Sequence, residues 1–177
     1  MDVEMDEIIA YPESARRVMK TPMGEMTTVM GPTASYMSSP MGTQDIPASM
    51  RSQAQAEMKT DLLTVLRNVN NPDYTFSLVG TEKVGDVNAQ VLQVTTGGNN
   101  FKWYVDPATG RILQKVASTR MGEQTQTYTE WKMINGVNMP VAMTITAGGQ
   151  PAGGAKFTTI EINPAVDPKM FEKPPAK

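Results

Sequence analysis

Hydrophobic and polar positions along this chain follow two different periods. Between Met50 and Val69 the apolar residues Met50, Ala54, Met58, Leu62, Val65, Leu66 and Val69 recur at three- and four-residue steps. That spacing predicts one long amphipathic helix. Its polar side carries Arg51, Gln55, Lys59 and Arg67. Asp45 or Ser49 is expected to cap its start, with Pro47 in the first turn, and Asn70-Asn71-Pro72 to stop it. Beyond Pro72 the period falls to two. Val137, Met139, Val141, Met143 and Ile145 alternate with Asn138, Pro140, Ala142, Thr144 and Thr146. Such alternation predicts a strand with one buried face, and Pro140 within it predicts an edge or a bulge.

Turn chemistry divides the polar–apolar runs into hairpins. Gly85-Asp86, Asp106-Pro107-Ala108-Thr109-Gly110 and Asn135-Gly136 each separate two strand-like segments. Asn-Gly favours the tight turn whose twist matches paired strands, and Asp106 bonds its own backbone in the second turn. A Gly/Pro-rich loop, AGGQPAGGA, is expected to lead into a last strand, KFTTIEI. Pro168 is expected to open one short helical turn.

The segment MKTPMGEMTTVM tests the two periods against each other. Met19, Met23, Met26 and Met30 are spaced like a helical stripe. Pro22 and Gly24 oppose that reading, because each disfavours a helix interior. Pro22 followed by Gly24 instead predicts a hairpin turn, with arms at Val18–Lys20 and Thr27–Met30. The methionines are then expected to divide between the two faces. The sum is an α+β fold: a curled antiparallel sheet, an incomplete barrel of roughly nine to ten strands, wrapped around one long amphipathic helix. Residues 1–177 are expected to form a single domain, the C-terminal piece of a longer chain.

Composition narrows the chemistry. The chain has 15 methionines, no histidine and no cysteine. Missing histidine excludes a Ser-His-Asp triad and an H-E-x-x-H zinc helix within these residues. Missing cysteine excludes thiolate metal sites. A net charge of −2 gives no electrostatic footing for nucleic acid. No apolar run approaches the ~20 residues of a membrane span.

Three readings of the methionines remain open: filler of an irregular core, lining of an adaptable apolar pocket, and soft Cu(I) ligation. Trp103, Tyr104, Tyr128 and Trp131 read as cross-strand packing or as an exposed recognition strip. Asp2, Glu4, Asp6 and Glu7 read as a solvated strand face.

The order of these segments resembles the periplasmic lipoprotein carriers and their outer-membrane receptor, the LolA/LolB type. The strand ending at Tyr11-Pro12, the strand running to Thr21-Pro22, the arm TTVMGPTASYMSSP, the helix end LLTVLRN and the ending KFTTIEINPAVDPKMFEKPP carry the resemblance. It implies an incomplete barrel covered by helices around an apolar cavity. Where the carriers have a lid-holding basic residue before the second-strand proline, this chain has Tyr11. TPMGEMTTVM, GTQDIPASM, WYVDPATGRILQ and EWKMINGVNMP are similar to a C-terminal domain appended to some bacterial insulinase-like zinc peptidases. That second resemblance implies an accessory domain docking on peptidase halves, with the metal ligands upstream.

The leading expectation is a non-catalytic, periplasmic or otherwise extracytoplasmic module without metal or cofactor. Its apolar cavity would take a lipid, an acyl chain or an apolar segment. The expected lining is Met50, Met58, Leu62 and Leu66 from the helix, and Val141, Met143 and Ile145 from the strands.

Overall fold

The structure, a computed structural model, describes residues 3–32, 34–119 and 122–174. Its backbone divides into two compact units. One runs to Asn68 and resumes from Ala165; the other is Val69–Pro164.

The first unit opens with five strands: β1 (Glu4–Ala10), β2 (Ser14–Thr21), β3 (Gly24–Met30), β4 (Tyr36–Ser39) and β5 (Gly42–Asp45). They pair in chain order as one antiparallel meander. The segment around Pro22 is the predicted hairpin. Thr21 pairs with Gly24 across a two-residue connection. Gly24 sits at φ +112°, and a β-carbon there would meet Pro40 Cγ at 2.6 Å. Glycine is therefore required twice over, by the backbone angle and by the neighbour.

The register corrects the expected distribution of the methionines. Met5 pairs with Met19, Met19 with Met26, and Thr28 with Met37. Cross-strand partners share a face, and residues two apart along a strand do too. Met5, Met19, Met26, Met30 and Met37 therefore all stand on one face of this sheet. The opposite face holds Val18, Val29 and Tyr36, exposed by 6%, 0% and 5%. The 3-10 turn Pro168–Phe171, expected from Pro168, packs against β2. Tyr36 Oη donates to the Glu172 carbonyl at 2.9 Å.

Two short helices replace the single long one: α1 (Ala48–Lys59) and α2 (Leu62–Arg67). Asp61 causes the break. Its carboxylate accepts from the backbone N–H groups of Leu63 (3.0 Å) and Thr64 (3.3 Å). That is an N-cap, which needs extended backbone at Asp61 and so cannot lie within a continuing helix. Pro47, not Asp45 or Ser49, stands before α1, and no side chain caps it. The expected inner stripe is uneven. Leu62 and Val65 are 9% and 0% exposed, whereas Met50, Leu66 and Val69 are 55%, 47% and 47% exposed.

The second unit is a seven-stranded antiparallel meander. Its strands are β6 (Tyr74–Val84), β7 (Val87–Thr96), β8 (Asn99–Val105), β9 (Ile112–Thr119), β10 (Gly122–Ile134), β11 (Val137–Ala147) and β12 (Gln150–Lys156). The expected turns at Gly85-Asp86, Asp106–Gly110 and Asn135-Gly136 all join consecutive strands here. In the second of these, Asp106 accepts from Ala108 N–H at 2.9 Å and from Thr109 Oγ1 at 2.6 Å. Those bonds hold its carboxyl below the usual carboxylate range.

Twelve strands stand among the described residues against the nine to ten expected. One correction lies at the end of the sheet. The glycine-rich segment expected as a loop is β12, and KFTTIEI beyond Lys156 is not a strand. Gly154 shows why: a β-carbon there would lie 2.6 Å from the Met143 carbonyl oxygen. Glycine is what lets this last strand approach β11. Pro140 faces a double register shift at Glu130 and Trp131, the expected bulge. Both sheets are open, since their strand orders run from edge to edge.

Candidate apolar site on the seven-stranded sheet

Register assigns the side chains of the second sheet to two faces. One face is built outward from Trp103. Leu92 and Lys115 are its cross-strand partners on β7 and β9. Val94 and Ala117 flank Phe101 in the next row. Farther across, Gln126 pairs with Ile145 and Tyr128 with Met143. On β6, Phe76 and Leu78 pair with Val94 and Leu92.

Burial on this face is graded. Val94, Phe101 and Trp103 are 0%, 3% and 3% exposed. Met143, Ile145, Tyr128 and Gln126 are half-buried, and Leu78 is exposed. Phe101 and Trp103 meet edge to face at 5.9 Å. The Lys115 ammonium stands 4.8 Å from the Phe101 ring centre, a cation over a π face. Gln126 Nε2 donates to Met143 Sδ. Among the described residues, Trp103 Nε1 is buried without a hydrogen-bond partner. Buried indole N–H groups usually find an acceptor. This face therefore combines an aromatic centre with a looser margin of Met143, Ile145 and Tyr128.

The other face holds a separate cluster of Ala89, Val91 and Tyr104, with Val84, Leu113 and Val116 against it. Tyr104 Oη donates to Glu82 at 3.1 Å. Burial, and then that bond, raise its phenol above the usual value. Trp103 and Tyr104 thus serve opposite faces. Tyr128 and Trp131 stack edge to face at 5.8 Å, and Arg111 lies 5.9 Å over the Trp131 ring. Each of these aromatic pairs lies within one strand, Phe101–Trp103 on β8 and Tyr128–Trp131 on β10.

The sequence-derived lining residues fall in both units. Val141, Met143 and Ile145 lie on β11 of the seven-stranded sheet; Val141 is buried at 3% exposure. Met50, Met58, Leu62 and Leu66 belong to the first unit, on α1 and α2. Sequence reasoning did not single out Phe101, Val94 or Leu92. Their signal was available in the alternation of VLQVTT and FKWYV around a short turn.

The position of Tyr11 has its own geometry in the first unit. Its hydroxyl donates to Asp61 Oδ1 at 2.9 Å, and the Arg67 guanidinium lies 5.1 Å from its ring centre. Burial and the Asp61 charge raise its phenol well above the ordinary value. The strand that ends there is thus tied to the cap of α2. Of the acidic residues at the N-terminus, Glu4 and Glu7 pair with Lys20 and Arg17 at 2.8 and 2.6 Å. Asp2 lies outside the described residues.

No model of a known protein family matches this chain, and no curated protein does. Solved structures do. A DUF1329 family protein from Desulfovibrio piger superposes with a TM-score of 0.65 at 13% identity, over 95% of this chain and 79% of its own. A domain described as a candidate outer membrane lipoprotein-sorting protein, from Vibrio parahaemolyticus, gives 0.62 at 12% identity, over 96% and 80%. A LolA superfamily protein from Nitrosomonas europaea gives 0.58 at 16% identity, over 91% and 77%. Likeness over more than nine-tenths of the chain shows a LolA-like fold.

Proposed function

We propose that this chain is a non-catalytic, extracytoplasmic module that binds a lipid, an acyl chain or another apolar segment. The observation that carries the reading is the apolar face centred on Trp103. Its centre is closely packed, and its margin at Tyr128, Met143 and Ile145 is only half-buried. The similarity to a lipoprotein-sorting domain and to a LolA superfamily protein supports the same reading.

Burial of apolar area contributes about 25 cal/mol per Å². An acyl chain against this margin needs no polar anchor to bind, although ordering it offsets part of the gain. Methionine at position 143 suits such a role, because its flexible thioether repacks around different tails. Selectivity among tails is accordingly expected to be low. The test is titration of the purified chain with a fluorescent fatty acid, repeated with Met143→Trp and Ile145→Trp. Saturable binding that both bulky variants weaken supports the site. Failure of the unmodified chain to bind, with its fold intact, overturns it.

A further inference from the structure

The methionine face of the five-stranded sheet points to a second binding activity, and we propose that Met5, Met19 and Met26 form a thioether site for a soft monovalent cation, Cu(I) or its analogue Ag(I). The juxtaposition rests on register. Met5 is the partner of Met19 on β1 and β2, and Met19 is the partner of Met26 on β2 and β3. Three thioethers therefore stand side by side in one row that crosses three adjacent strands. Neighbouring strands lie about 4.8 Å apart, so the outer two α-carbons are roughly 10 Å from each other with the third between them. Methionine has three rotatable side-chain bonds. The outer sulfurs can lean toward the central one and converge on a single ion without moving the backbone.

Two further methionines stand on the same face. Met30 is two positions beyond Thr28 and four beyond Met26, and Met37 is the partner of Thr28 on β4. Met37 is the nearer of the two; Met30, about 13 Å along β3 from Met26 and buried, lies beyond reach of the row.

Burial argues against plain core filling. The compact side of this sheet is the opposite one, where Val18, Val29 and Tyr36 lie. On the methionine side Met30 is buried at 8% exposure near the end of β3, but Met5 and Met37 are 39% and 36% exposed, and Met19 and Met26 are half-buried. An ion can reach them. Donor chemistry then selects the ion. Thioether sulfur is a soft, neutral donor that favours Cu(I) over zinc, magnesium or calcium. The chain has no histidine or cysteine to draw in a borderline metal. Among the described residues no group of three or more carboxylates gathers for a hard one.

The site shares no residue with the apolar face of the other sheet. It involves binding only, with no change of oxidation state.

The experiment uses the whole chain. Cu(I) is presented as its coloured bicinchoninate complex under nitrogen, and transfer to the protein is read from loss of colour. The expected result is withdrawal of one equivalent. Met19→Leu and Met26→Leu, which conserve apolar volume, should lose that withdrawal while keeping the circular dichroism of the parent. Met41→Leu, 98% exposed in the turn between β4 and β5, should keep it. If the leucine variants fail to fold, methyl spectra of the labelled parent chain titrated with Ag(I) decide the matter. Shifts confined to Met5, Met19 and Met26, with Met37 beside them, support the site. No withdrawal by the parent, equal loss in Met41→Leu, or uniform shifts across all 15 methionines would overturn it.

Discussion

The two sheets solve one problem with different materials. Both are open antiparallel meanders in strict chain order. The seven-stranded sheet carries an aromatic centre, Phe101 and Trp103, beside fully buried Val94. The five-stranded sheet buries small aliphatics and one tyrosine on one side and sets five methionines on the other, of which only Met30 is buried. Its edge strand β1 is further held to β2 by ion pairs, Glu4–Lys20 and Glu7–Arg17. A sheet stiffened by aromatics is sensitive to loss of shape. One surfaced with methionine tolerates repacking, because the side chain adapts to what meets it. The contrast predicts unequal responses to equivalent substitutions.

The largest effect is expected at the aromatic centre. Trp103→Ala should cost about 3–5 kcal/mol, the usual range for emptying an aromatic site. Met26→Ala, at a half-buried position of the other sheet, should cost about 1 kcal/mol. Equal costs in denaturant titrations would erase the contrast. Trp103→Phe sharpens it. The indole N–H is buried without an acceptor, so removing it relieves an unmet desolvation cost while opening a smaller gap. Its penalty should be well below that of Trp103→Ala.

Next in size is a comparison within α2. Leu62→Asp places an unpaired charge at a position 9% exposed and should cost several kcal/mol. Leu66→Asp, at 47% exposure, should cost about 1 kcal/mol or less. Thermal melts of the two variants check this directly.

These two leucines also show what the sequence could and could not reveal. A three-four period sees direction around an axis. It does not see where the axis is cut. The cut was nonetheless written in the chain: Asp61 before Leu62-Leu63 is an N-cap signal in its own right, overlooked because the apolar stripe runs through it. The methionine row was legible in the same way. Once Pro22-Met23 is a two-residue turn, Thr21 must face Gly24, and counting back puts Met19 opposite Met26. Assigning a hairpin without counting its register scattered residues that the pairing gathers. The Asn135-Gly136 and Asp106–Gly110 turns were easy because their signals are local and backbone-specific. Strand β12 was missed because its glycines look like a loop, and only the close approach to Met143 explains them. The face around Trp103 depends on seven strands pairing in order, which alternation within one strand cannot report.

A smaller effect is expected at Tyr11. Tyr11→Phe removes the bond to Asp61 and should cost about 1 kcal/mol, since Asp61 keeps its backbone partners. The pH dependence has a definite sign. Burial first, and then the nearby Asp61 charge, raise the folded phenol above its unfolded value near 10. The folded state therefore prefers the neutral phenol. Its contribution is fully present below about pH 10 and is lost as pH rises through the folded value. Melting temperatures between about pH 10 and 12 should fall more steeply for the parent than for Tyr11→Phe. Parallel curves would show that neither burial nor Asp61 raises the phenol in the folded state.

The smallest effects return to the two sheets and their surface ion pairs. In the first sheet, Glu7 and Arg17 are direct cross-strand partners, and Arg17 offers both Nε and Nη2 to one carboxylate oxygen, at 3.2 and 2.6 Å. In the second sheet, Glu130 and Lys156 meet at 2.9 Å by reaching across β11, since both are partners of Ala142. The lysine pair must hold two long side chains in one geometry and is the more exposed, at 69% and 49% against 51% and 24%. Exposed pairs contribute about 0.2–1 kcal/mol. The arginine pair should lie toward the top of that range and the lysine pair near the bottom. Double-mutant cycles with Glu7→Gln and Arg17→Met, and with Glu130→Gln and Lys156→Met, measure both couplings. Raising the salt to 1 M shortens the screening length to about 3 Å and should erase most of either. A larger coupling for the lysine pair would mean that reach across a strand costs less order than its exposure implies, and the ranking of the two sheets' surface pairs would reverse.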